Sequence, residues 1–173
     1  MLIDVSYFTA GPRHILNAST AATPAQNSLS VNQHIMGYVR HYQLAFLCEM
    51  LGDATAVALD TYLAEKEEFE KNAEENEVFE VNTDYESLCD KLRESFADYV
   101  FFYILRDAAT QATDRGLVIW KNENEVVSPV ARQVAIWNEM VKRNIRFKAW
   151  SASVSCPVEV SENMLTPINA YNL

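Results

Sequence analysis

The sequence predicts a mainly α protein: a bundle of about four helices with a small β-hairpin and extended N- and C-terminal arms. Three observations predict it. Apolar residues recur at three- and four-residue spacing in four long stretches, period-two alternation is confined to the two ends, and helical periodicity breaks at Thr113 to Gly116 before two short apolar runs. The implied organisation is an N-terminal arm and linker over 1–29, a helical domain over 30–150 with the hairpin at about 116–127, and a C-terminal arm over 151–173.

At the start, Ile3, Val5 and Tyr7 alternate with Asp4, Ser6 and Phe8 until Gly11-Pro12, which reads as an extended arm. A stretch rich in Ala, Ser, Thr and Asn follows, with Pro24 in it, and favours an irregular connection. Ser30 and Gln33 then stand as a capping box, and Ile35, Val39, Tyr42, Phe46 and Met50 form the stripe of a first helix ended by Gly52. Gly37 inside that helix costs about 1 kcal/mol relative to alanine. Its presence predicts another backbone passing close.

Asp53 is placed to cap a second helix carrying Val57, Leu59, Tyr62 and Leu63. It runs into AEKEEFEKNAEENEVFE, where like charges crowd and the helix end is expected to fray. Thr83 and Glu86 form another capping box, opening a third helix with Leu88, Leu92, Phe96, Tyr99 and Tyr103 on one stripe. Phe101, Phe102, Ile104 and Leu105 fill the other faces, so the run from Phe96 to Leu105 must be buried nearly all round and is the central helix.

Leu117 to Trp120 and Glu125 to Val127, separated by KNEN, read as the two strands of the hairpin. Ser128-Pro129 supplies an N-cap and first-turn proline for a fourth helix with the stripe Val130, Val134, Trp137, Val141 and Ile145, supported by an i to i+4 pair of Glu139 and Arg143. After Trp150 the alternation of Ala152, Val154, Cys156, Val158 and Val160 with polar residues predicts a second extended arm.

Composition narrows the chemistry. Apolar residues are 49% and charged residues 22% of 173, which describes a globular domain. The four glycines, Gly11, Gly37, Gly52 and Gly116, are too scattered for a phosphate-cradling loop. Of the formal charge of -10, residues 65–98 hold 13 acids against 4 bases, net -9, while 115–150 hold 7 bases against 3 acids, net +4. Such a balance argues against wrapping nucleic acid. Asp4 stands where a signal peptide needs a base, Cys48, Cys89 and Cys156 read as reduced thiols of a cytosolic product, and the longest apolar run, Tyr99 to Leu105, is far below the roughly 20 residues of a membrane span.

A catalytic constellation is not evident, and neither a metal nor a cofactor is expected. His34 and His41 lie seven apart, too far for one zinc, and His14 stands alone. No Glu-x-x-His pair suits a di-iron bundle. Glu86, Asp90, Glu94 and Asp98 recur at four-residue steps, so the alternative of an all-α metal-dependent nucleotide phosphohydrolase, which wants an ExxE and a later ExxD, is outweighed by a solvated, self-repelling face. Cys48 has no base within reach to make it a nucleophile, and the aromatic residues follow helix and strand faces as core does.

Two stretches carry a family likeness: VNQHIMGYVRHYQLAFLCEMLG at 31–52 and YVFFYILRDAATQATDRGLVIWKNENEVVSPVARQVAIWNEMV at 99–141. The first ends Tyr42, Phe46, Leu47, Leu51, Gly52. The second holds a Tyr-rich run from Tyr99 to Arg106, a Thr-x-x-Gly turn at Thr113 to Gly116, and Trp137 to Met140. These features resemble the head-tail connector (neck or adaptor) proteins of tailed bacteriophages, as in phages and prophages of Bacteroides-like bacteria. The Glu-rich segment at 65–80 departs from that likeness in being longer and more charged.

The resemblance implies a structural virion protein of the neck, made in the host bacterial cytoplasm, that forms a homo-oligomeric ring of about twelve copies. Its partners would be the portal protein, tail or neck proteins and, in passing, DNA, with no membrane. Strand edges in the arms and hairpin would be completed by neighbouring copies, which makes Ile3, Val5, Tyr7, Leu117, Ile119, Trp120, Val126, Val154, Val158 and Val160 the candidate interaction residues. A host-side helical adaptor or regulator that binds one protein through the hairpin is the other alternative.

Overall fold

The computed structural model describes residues 1–73, 78–108, 111–113, 116–118, 129–153 and 157–171. Four helices carry the fold: α1 (Gln26–Leu51), α2 (Asp53–Asn72), α3 (Thr83–Ala108) and α4 (Val130–Ser151). Helix α3 packs against α4 on one side and α1 on another, and α1 packs against α2. The predicted helical bundle is what the chain forms.

Helix α1 begins a turn before Ser30, at Gln26 behind Ala25, so the Ser30–Gln33 capping box is not the helix start. Ile35, Val39, Phe46 and Met50 are buried as its periodicity requires, joined by Leu47 and Leu51, while Tyr42 is half-buried. Gly52 turns α1 directly into α2 at φ 78, ψ 156, a region essentially restricted to glycine. Gly37 does not meet the expectation of a passing backbone: an added Cβ would find no atom within 4 Å.

Ala56, Leu59, Tyr62 and Leu63 form the buried face of α2, and Val57 points outward. The helix holds through the Glu-rich run as far as Asn72, because cations intersperse the acids: Lys66 Nζ lies 2.5 Å from Glu86, Lys71 Nζ 2.5 Å from Glu67, and the N-terminal ammonium 3.3 Å from Glu67. Helix α3 is capped by Asn82, one residue before the predicted Thr83; its Oδ1 accepts from the N–H groups of Asp84 and Tyr85 at 3.1 Å each. Glu86, freed from the capping box, faces α2. Every residue from Ser95 to Phe102 is buried, as expected of a central helix, with Phe46 and Phe96 ring centroids 5.0 Å apart. Tyr103 to Leu105, the end of that apolar run, are half-buried.

The buried face of α4 differs from the predicted stripe. Gln133, Ile136, Met140, Val141, Asn144 and Phe147 point inward, and Ile145 is 52% exposed. The reason is polar: Asn144 lies wholly inside, accepting from the Ser95 hydroxyl and donating to the Met164 carbonyl at 2.8 Å.

Both arms also depart from expectation. The N-terminal segment forms two short 3-10 helices, Val5–Phe8 and Gly11–Arg13, and Leu2, Ile3 and Phe8 are core residues. Its polar groups are satisfied locally and by the bundle, with Asp4 accepting from Ser6 N–H and the Leu2 N–H donating to Gln43 Oε1, both at 2.8 Å. At the other end, α4 ends at Ser151, one residue past the expected boundary at 150. The chain then returns over α1, where Glu159 and Ser161 N–H groups donate to the Leu51 and Glu49 carbonyls at 3.2 and 2.8 Å. Those carbonyls belong to the last turn of α1, which has no helical donors of its own. Met164, in a 3-10 helix over Glu162–Leu165, completes the core.

Between α3 and α4, β1 (Gln111–Thr113) pairs antiparallel with β2 (Gly116–Val118), Gln111 opposite Val118 and Thr113 opposite Gly116. Of the predicted pairing of 117–120 with 125–127, residues 119–128 lie outside the described residues. Leu117 and Val118, read as the first strand of the hairpin, instead pair backward with Ala112 and Gln111.

Candidate functional site

The four carboxylates at four-residue steps on α3 are each engaged by a cation of the chain. Glu86 accepts from Lys66 Nζ at 2.5 Å and from the Tyr62 hydroxyl at 2.7 Å, and these bonds hold its carboxyl below the ordinary range. Asp90 pairs with Arg93 at 2.7 Å. Glu94 accepts from Arg13 Nη2 at 2.6 Å. Asp98 accepts from Arg13 Nη1 at 2.8 Å and from Arg143 Nη1 at 2.5 Å. Among the described residues, no group of three or more His, Cys, Asp or Glu is arranged to hold a metal ion.

Asp98 is the residue that sequence reasoning missed. It was read as one step of a solvated acidic face, yet its side chain is 3% exposed and ties the N-terminal segment, α3 and α4 together. Burial pushes its carboxyl above the ordinary range, against the pull of Arg143 and Arg13. The available signal was its place within the apolar run of α3, where a charge needs a partner. The partner Arg13 is 85 residues away in sequence, which no periodicity reveals.

A second cluster forms a groove of about 430 Å³ where α1 meets the end of α3, lined by His34, Gly37, Tyr38, His41, Tyr42 and Asp107 among others. Tyr42 stacks on Tyr103 at 4.2 Å, and the Arg106 guanidinium lies 4.3 Å from the Tyr103 centroid and donates to the Tyr42 hydroxyl at 3.5 Å. His34 and His41 meet Tyr38 and Tyr42 edge-on at 5.1 and 4.7 Å. The Tyr38 hydroxyl donates to Asp107 Oδ2 at 3.0 Å, and burial with this bond pushes its phenol up to about 12. Such a phenol stays protonated near neutrality and acts as a donor. Burial likewise pushes the Cys48 thiol up and that of Cys89 to about 11, the opposite of what an attacking cysteine requires.

The candidate interaction residues divide three ways. Ile3 is core, with Val5 and Tyr7 half-buried against it, and Val158 and Val160 are half-buried against the same core at the other end. These five are turned to the core of their own chain and not gathered on one outer edge. Leu117 lies in β2, whereas Ile119, Trp120, Val126 and Val154 lie outside the described residues. Among the described residues, no helix is long and apolar enough to cross a membrane.

No protein-family model matches the chain, and comparison with curated proteins and with solved structures returns no match.

Proposed function

We propose that the chain is a structural subunit of a tailed-bacteriophage neck: a head-tail connector that assembles as a ring of about twelve copies between portal and tail, leaving a passage for DNA. The observation that carries this reading is the β1–β2 ribbon. It emerges between α3 and α4, has two strands of three residues each, and pairs with no third strand among the described residues. An isolated pair of this size is marginal in water, and its unpaired edges suit strand addition from a neighbouring subunit. The family likeness at 31–52 supports the same reading, since Phe46, Leu47 and Leu51 are core and Gly52 makes the turn that fixes α1 against α2.

Light scattering and negative-stain electron microscopy test it, on the full chain alone at high concentration and with a portal protein from the same genome. A closed ring in either condition is the expected result, lost when 109–118 is replaced by a Gly-Ser linker while the helical circular dichroism is kept. A monomer in both conditions overturns the proposal.

A further inference from the structure

Resting on that reading, we propose that successive copies join through unlike charged patches: the acidic, apolar edge of one copy, Glu65, Val78, Glu80 and Val81, seats in the basic, aromatic groove of the next, formed by Lys91, Arg146, Phe147 and Trp150.

The groove lies between α3 and α4 and measures about 240 Å³. The Phe147 and Trp150 rings are 5.7 Å apart, and the Lys91 ammonium sits 5.6 Å from the Trp150 centroid. Arg143 on its wall is committed to Asp98, but neither Lys91 nor Arg146 has an ion pair among the described residues. Two exposed cations beside the half-buried Trp150 indole are thus left for an acidic group carried on an apolar one.

The edge has the matching chemistry. Phe79 anchors it, with its ring 5.5 Å from both Tyr62 and Phe69, and this holds Val78 90% exposed and Val81 55% exposed on either side. Glu65 and Glu80 line the same hollow and are exposed, without an ion pair among the described residues. Apolar side chains so exposed beside unpaired carboxylates are the complement of the groove.

Geometry makes the contact heterologous. On α3, Glu86 faces α2 and the edge, while Lys91 faces the groove; five residues at about 100° each place them about 140° apart around the helix. An edge on one side of the subunit cannot fill a groove on another side of the same subunit. Unlike patches that repeat by one rotation build a ring when the rotation closes.

The test is a charge swap in the full chain, in the condition where the parent assembles. K91E/R146E makes both patches acidic, and E65K/E80K makes both basic. Each double variant alone is expected to need at least about tenfold more protein to assemble. A one-to-one mixture, in which each edge again meets an opposite groove, is expected to form rings at the parent's concentration. All the substituted side chains are exposed, and unchanged melting temperatures serve as the folding control. Double variants that assemble like the parent, or a mixture that stays unassembled, overturn the pairing and leave the ring reading standing. A parent that never assembles overturns the ring reading itself.

Discussion

Replacing Asp98 by alanine removes the acceptor shared by two guanidiniums. Breaking a buried ion pair by deleting one partner costs about 3–5 kcal/mol, chiefly because the remaining charge is left without compensation. Two features put this case at the lower end. Arg143 is 32% exposed and can regain water, and Arg13, at 12%, keeps its 2.6 Å bond to Glu94. The expected loss is therefore about 3 kcal/mol, and with a urea slope of about 2 kcal/mol/M the unfolding midpoint falls by about 1.5 M. Arg13→Met leaves the Asp98–Arg143 bond intact and removes charged hydrogen bonds worth about 1.5–3 kcal/mol. It should also expose the first 18 residues to protease before the helices are cut. Urea titration followed by circular dichroism, with timed proteolysis, measures all of this. A midpoint for D98A within about 0.3 M of the parent refutes the reasoning, as does an R13M variant that loses more than D98A.

Gly52→Ala forces an L-residue to φ 78 with its Cβ 3.4 Å from that of Glu159, so a loss of about 1–3 kcal/mol is expected in the same titration. Gly37→Ala has the opposite sign: no atom lies within 4 Å, so the melting temperature should rise with the gain of about 1 kcal/mol in helix propensity. Glu86 and Glu67 both have carboxyls lowered from 4.5, Glu86 chiefly by Lys66 and Glu67 chiefly by Lys71, so the stability they contribute is present above that value and lost as pH falls through the lowered ones. Their contribution to the urea midpoint should therefore decline below about pH 4.5, against the raised carboxyl of Asp98, whose contribution has the opposite sign. E67Q/E86Q should start lower at neutral pH and decline less.

How much of this was legible depended on the type of interaction. The helices announced themselves because Ile35, Val39, Phe46, Leu59, Leu88, Leu92 and Phe96 all bury at helical spacing. The inner face of α4 did not, because Gln133 and Asn144 occupy buried positions and interrupt the apolar stripe. Alternation at the N-terminus was real in the sequence, but the neighbours Leu2 and Ile3 are both buried, as no half-exposed strand would have them, and Phe8 is buried from the 3-10 helix that follows. Likewise, Asp98 acquires its role only when Arg13 and Arg143 arrive from 85 and 45 residues away. Local periodicity reports an element's buried face; it says nothing of polar groups paired across elements.

The packing of both termini onto their own bundle changes what a ring would be made of. Free arms would have supplied long strand additions. With Ile3 in the core and the Glu159 and Ser161 N–H groups bonded to α1, what remains for a neighbour among the described residues is a ribbon of two three-residue strands and the proposed charged contact. Each net hydrogen bond contributes about 1 kcal/mol and each exposed ion pair less than that, so a single subunit contact on the proposed reading is weak. Closure compensates, because every copy in a ring has two neighbours, and a portal that already carries the symmetry raises the effective concentration of each successive copy toward the millimolar range. The isolated chain is then expected to be largely monomeric at micromolar concentration and to form rings on the portal in the same buffer, with occupancy that rises steeply and falls with added salt. Independent, non-cooperative binding of single copies to the portal would show that the contacts between copies contribute nothing.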